Sequence, residues 1–160
     1  MVKKALFTVV ATLLCQNLFA ADIEATNAYA RATVGQKQSG AFLTLKNTTH
    51  KDDILIAASV SPDIAENTEL HTHINDNGVM RMREVKDGIP IAAGQTQELK
   101  PGGYHIMFFG LKNTLTAGQT LPIKLKFKNG SEQTVEFEVR NMQATHQHKN
   151  QQHNHTHHHH

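Results

Sequence analysis

Three short segments of the chain carry side chains able to hold a metal ion: Glu69-Leu70-His71-Thr72-His73, Val79-Met80-Arg81-Met82 and Tyr104-His105-Ile106-Met107. In an extended strand residues i and i+2 point to the same side. His71 therefore shares a face with His73, Met80 with Met82, and His105 with Met107. Between the first two segments, Asn75-Asp76-Asn77-Gly78 is a strong hairpin signal. With all four residues in the loop, His71 lies opposite Met82 and His73 opposite Met80. With Asn77-Gly78 alone as the turn, His73 lies opposite Met82, and Glu69 gains Lys86 as a partner. Either register sets an imidazole against a thioether, and the sequence does not choose between them.

That pairing suits a soft metal. Thioether sulfur is a neutral, polarisable donor that favours Cu(I), and imidazole is a good borderline partner. Thiolates bind Cu(I) more strongly, but an oxidising space takes them into disulfides. Methionine escapes that fate, though not oxidation to the sulfoxide. Two imidazoles and two thioethers leave the charge of the ion uncompensated, so release to a thiolate-rich acceptor runs downhill, as a carrier requires. The bland alternatives are that methionine fills strand cores and that a single histidine is a hydrogen-bonded structural group. They weigh most on Met80 and His73, and His50, in a polar turn, reads as a surface residue. For His71, Met82, His105 and Met107 they weigh less, because Glu69 and Glu84 share those faces and mark a rim rather than a packed core.

The elements that must position these residues read as strands. The chain has 160 residues, 39% hydrophobic and 19% charged, enough for one domain with a modest core. Ala41–Leu45 and Asp53–Ala57 are short apolar runs, Leu121, Ile123, Leu125 and Phe127 alternate with lysines, and Val135, Phe137 and Val139 alternate with glutamates. Period-two alternation marks half-buried strands. An Asn129-Gly130-Ser131 loop predicts Lys124 opposite Glu136 and Leu125 opposite Val135, with opposite charges on one face and apolar residues on the other. No segment carries a sustained helical stripe, and no repeat is evident. An all-β, antiparallel β-sandwich is expected.

Residues 1–20 read as a secretory signal: Lys3 and Lys4 precede an apolar stretch from Ala5 to Cys15, and Leu18-Phe19-Ala20 offers a cleavage site. A lipid anchor on Cys15 is the rival reading, opposed by the bulky Leu14 before it. The apolar run is too short for a membrane span, and no anchor follows it. Loss of Lys3 and Lys4 leaves 14 basic against 14 acidic residues, and loss of Cys15 leaves no thiol. That balance excludes a protein built around nucleic-acid phosphates, and one Cys excludes a disulfide framework or a Cys-based zinc finger. Export to an oxidising compartment, most simply the bacterial periplasm, is expected.

At the His and Met residues the chain resembles the periplasmic copper chaperone family called PCuAC, whose signature is His, ten residues, Met, about twenty-one residues, His, one residue, Met. Here the gaps are ten, twenty-two and one, between His71 and Met82, Met82 and His105, and His105 and Met107. The extra residue falls in a stretch containing Gly88, Gly94 and Pro101-Gly102-Gly103. Glu69-Leu70-His71, Gly78–Arg83, Leu99–Met107 and Gly110-Leu111-Lys112 also match, so the resemblance spans about residues 22–140. It implies a cupredoxin-like sandwich holding Cu(I) on His71, Met82, His105 and Met107, and passing it to the dinuclear copper site of cytochrome c oxidase. A copper nitrite reductase is an equally accessible client. Blue-copper electron transfer is excluded, since that centre needs a Cys ligand. So is a copper monooxygenase built on an N-terminal His, because cleavage after Ala20 leaves Ala21 or Asp22 first.

Of the 12 His residues, 8 lie between His146 and His160. From Ala144 onward there are no large apolar residues, so residues 144–160 are expected to form a flexible tail after a domain of residues 21–143. Met142, His146, His148, His153, His155, His157, His158, His159 and His160 make a multidentate set, and imidazole-only ligation suits Cu(II), Zn(II) or Ni(II) better than Cu(I). A cloning remnant at His157–His160 is the prosaic alternative. The irregular spacing upstream favours a native metal-gathering tail. A scavenger or buffer working through this tail is the competing function. No nucleotide loop or nucleophile–base arrangement points to an enzyme.

Overall fold

The computed structural model describes residues 21–142. Residues 1–20, on which the expected secretory signal falls, and the residues from 143 onward lie outside them. Ten strands and no helix occur among the described residues: β1 Ile23–Arg31, β2 Gln38–Asn47, β3 Asp53–Ser59, β4 Asn67–Asp76, β5 Val79–Glu84, β6 Ile89–Ile91, β7 Thr96–Leu99, β8 His105–Phe109, β9 Thr120–Phe127 and β10 Glu132–Arg140. They hydrogen-bond in the order β5-β4-β8-β2-β1-β10-β9-β3-β6, with β7 also on β2. This path closes on one core as a cupredoxin-like β-sandwich.

The expected strands are present, with two differences. The ladders are antiparallel except between β1 and β10, which run parallel with Tyr29 beside Glu138 and Arg31 beside Arg140. The β9–β10 hairpin turns through Lys128-Asn129-Gly130, not Asn129-Gly130-Ser131. Phe127 N–H donates to the Ser131 carbonyl at 3.0 Å, and Gly130 takes a φ of 94°, open to a residue without a Cβ. Thr134, not Glu136, therefore stands opposite Lys124, and Gln133, not Val135, opposite Leu125. A shift of two residues keeps every side chain on its face. Opposite charges still share the outer side, Lys124 and Lys126 lying 3.8 and 4.0 Å from Glu132.

The core draws on every strand but β5. Leu43 and Leu45 of β2, Leu55 of β3, Leu70 of β4, Ile89 and Ile91 of β6, Ile106 and Phe108 of β8, Ile123 and Phe127 of β9, and Phe137 of β10 all belong to it. Strand β5 buries none of its side chains and forms one edge of the sheet. Its charged Arg81, Arg83 and Glu84 suit an edge that must not pair with another chain.

Candidate metal centre

Strand β8 lies between β4 and β2, and its alternation sets the site. Ile106 and Phe108 are fully buried in the core, so His105 and Met107 point out of the other side of the sheet. On β2, Gly40 faces Met107. A Cβ on Gly40 would approach Phe42 Cζ to 3.3 Å, so the missing side chain leaves room for the Phe42 ring. That ring is buried but stands outside the core cluster. Its centre is 6.2 Å from that of His105 and 5.2 Å from that of Tyr29, and the Arg31 guanidinium lies 5.3 Å from it.

The β4–β5 hairpin takes the shorter of the two turns considered. Asn77 and Gly78 have φ of 52° and 87°, the left-handed pair that a two-residue turn matched to strand twist requires. Gly78 N–H donates to Asn75 Oδ1 at 2.7 Å. His73 therefore stands opposite Met82, and His71 lies opposite Glu84 on one side and His105 on the other. Met82 is diagonal to His71 across the ladder. Glu69 does not gain Lys86, which instead lies 4.0 Å from Glu84.

Hydrogen bonds fix which nitrogen of each ring is free. His105 Nδ1 lies 2.9 Å from the Gly103 carbonyl oxygen. A carbonyl only accepts, so Nδ1 carries the proton and donates, leaving the Nε2 lone pair open. That Nε2 meets Met82 Sδ at 3.1 Å. His71 Nε2 donates to Glu69 Oε2 at 2.7 Å, which leaves Nδ1 as its bare nitrogen. His71 Nδ1 and His73 Nδ1 are both buried without a hydrogen-bond partner. The His105 ring centre is 5.8 Å from that of His71 and 5.2 Å from that of His73.

Burial is the chief force holding His105 below the ordinary imidazole pKa. The Gly103 bond opposes it, and His73, His71 and Arg31 add to the depression. Unfolded, such a ring gains its proton at about pH 6.5; folded, it does so only at lower pH. The stability contributed by neutral His105 is therefore complete above that value and declines as pH falls through the window below it. Following the His105 ring protons of the metal-free protein by NMR should give a midpoint below the ordinary value. A midpoint at or above it contradicts the buried, neutral ring.

A cleft of about 740 Å³ opens over this face, and His73, Met82, His105 and Met107 line it, but His71 does not. Phe42, Arg31 and Lys37 are among the other residues that line it, and none of the lining residues is a carboxylate. Met80 is exposed, opposite Asn75 near the hairpin tip, and Met142 is exposed at the end of the described residues. His50 is an exposed turn residue. His146, His148, His153, His155 and His157–His160 lie outside the described residues. Among the described residues, no group of three or more His, Cys, Asp or Glu side chains is arranged as a metal site; the sulfurs of Met82 and Met107 are the further soft donors on this face. Sequence reading overlooked Phe42, Arg31 and the Glu69–His71 bond. The one available signal was parity, since Gly40 and Phe42 fall on the face opposite Ala41 and Leu43.

This architecture is shared with solved PCuAC domains and with DR1885. The PCuAC domain of PmoF2, solved with copper bound, matches at a TM-score of 0.62 and 19% identity, covering 78% of this chain and 97% of its own. DR1885 of Deinococcus radiodurans, solved in its CuI form, matches at a TM-score of 0.56 and 28% identity, covering 72% of this chain and 78% of its own. By fold, then, the chain is a PCuAC-type domain, as the resemblance led us to expect. In sequence it is 37% identical to Lxx21020 of Leifsonia xyli subsp. xyli (strain CTCB07), provisionally named a lipoprotein, over 74% of this chain and 70% of that one. The model of the LpqE-like family, provisionally described as lipoproteins, matches residues 23–139. The chain belongs to the LpqE-like family.

Proposed function

We propose that the protein is an exported copper chaperone that holds Cu(I) on His71, Met82, His105 and Met107 and delivers it to exported cuproenzymes. The dinuclear copper site of cytochrome c oxidase and a copper nitrite reductase are the two clients in view. The observation that carries this reading is the meeting of His105 Nε2 and Met82 Sδ at 3.1 Å, beside Met107 in an open cleft. A bare imidazole nitrogen and a thioether suit a soft monovalent ion. The Gly103 carbonyl orients the first ring, as outer hydrogen bonds do for metal-binding histidines. The copper bound by the PmoF2 domain and by DR1885 supports the same cargo.

The reading is of a carrier rather than an enzyme. Ser39, one of the hydroxyls on the cleft, donates to the Arg31 carbonyl at 2.7 Å, so its proton is directed at the backbone rather than at an imidazole. The lipoprotein description of the relatives supports export; a cleaved signal at residues 1–20 is our reading of how the chain is exported to the periplasm, and a lipid anchor on Cys15 is the form of export that description would favour. No helix among the described residues is long and apolar enough to cross a membrane. We assign residues 21–143 to the copper domain and residues 144–160 to a tail that gathers Cu(II). Strand β10 ends beside the cleft, the Arg140 carbonyl accepting from Ala32 N–H at 2.9 Å and Ala32 lining the cleft.

Truncation separates the chaperone from a tail-driven scavenger. A chain of residues 21–143, titrated with Cu(I) against a chromophoric chelator, should keep one tight equivalent. Loss of nearly all binding would make the scavenger the better account.

A further inference from the structure

The two imidazoles of β4 share a face but are held in different ways. His71 is buried, is bonded through Nε2 to Glu69 at 2.7 Å, and takes no part in lining the cleft. His73 lines the cleft, stands in register with Met82, and keeps a buried Nδ1 without a hydrogen-bond partner. Two imidazoles that share an ion at about 2 Å from each nitrogen have ring centres about 5–6 Å apart. His105 stands in that relation to both, at 5.2 Å from His73 and 5.8 Å from His71. One acceptor ring thus has two interchangeable partners, one facing the cleft and one behind it.

We propose that His73 is a second copper ligand, and that Cu(I) moves between an inner set containing His71 and a cleft-side set in which His73 replaces it. His105 and Met82 belong to both. This rests on the Cu(I) carrier reading above. The exchange forms a bond from copper to an imidazole nitrogen of His73 and breaks the bond to His71 Nδ1. No electron is transferred, and the His71 Nε2 proton stays on its hydrogen bond to Glu69. In the cleft-side set the ion sits against open space, where an incoming thiolate or thioether of a client can attack it. In the inner set, Glu69 holds the His71 ring fixed and places negative charge beside a cation whose ligands are neutral. The inner set therefore stores the ion, and the cleft-side set releases it.

The test uses Ag(I), a redox-inert soft cation, added at one equivalent to the full chain labelled with 15N at its histidine rings. Shifts at ring nitrogens of both His73 and His105 are expected. Shifts at His105 and His71 with His73 unmoved would overturn the proposal while leaving the carrier reading intact. No shift at His105 would remove the carrier reading and this proposal with it. A kinetic arm needs one variant. His73→Gln should slow transfer of Cu(I) to bathocuproine disulfonate by about tenfold. An unchanged transfer rate would likewise overturn the proposal.

Discussion

Replacing Met82 and Met107 together with leucine should lower Cu(I) affinity on the order of a hundredfold or more while leaving the domain folded. Leucine is close to methionine in volume, and such swaps cost less than about 1.5 kcal/mol each. Neither methionine belongs to the core cluster, so the change removes sulfur and little else. Met82 Sδ is the atom that meets His105 Nε2, and Met107 is the other sulfur on the cleft. Without them the face keeps imidazoles and loses the donors that favour a monovalent soft ion over Cu(II) or Zn(II). Competition with bicinchoninate, with a circular dichroism melt as the control for folding, measures both halves. Unchanged competition would show that copper is held elsewhere.

Phe108→Ala should cost about 3–5 kcal/mol of stability, the usual loss for a large aromatic side chain in a packed core. Phe108 is fully buried, on the same strand as His105 and Met107 but pointing the opposite way. The variant therefore separates the strand's two duties. Its core side is damaged while its metal side keeps every donor. An ion that binds only the folded form stabilises it by about 2.7 kcal/mol at a hundred times its dissociation constant. Saturating Cu(I) should accordingly move the urea midpoint of Phe108→Ala upward by a large part of what the substitution removed. A midpoint indifferent to Cu(I) would mean that the fold does not build the site.

Local alternation made β9, β10 and the site strands legible, because one buried face imposes a period of two wherever it occurs. Turn chemistry was legible in kind but not in count. Asn77-Gly78 and Asn129-Gly130 both mark turns, yet the residues that flank them enter the strands or leave them according to hydrogen bonds that form only across the ladder. Hence the β9–β10 register came out two residues away, and the β4–β5 register stayed open between two choices. The parallel pairing of β1 with β10 had no local signal at all, since nothing near either strand encodes a partner about a hundred residues distant. The spacing of His and Met picked out the face, but which imidazole meets the cleft depends on Glu69 capturing His71, a side-chain bond that follows from geometry rather than motif. Phe42 was read as part of an apolar run, and only its parity against Ala41 and Leu43 assigns it to the face that carries the His and Met residues.

Strand β5 gives nothing to the core, and it carries Met82. It is held by the ladder to β4, by the tight turn at Asn77-Gly78 and, at its other end, by the Val85 N–H bond to the Leu70 carbonyl at 2.8 Å before the chain enters β6. Peeling it away would leave the oily interior sealed, because that interior never relied on it. On the carrier reading proposed above, the thioether thus rides on an outer strand, and a client could draw that one donor off the ion at the cost of a few edge hydrogen bonds, without prising the sandwich apart.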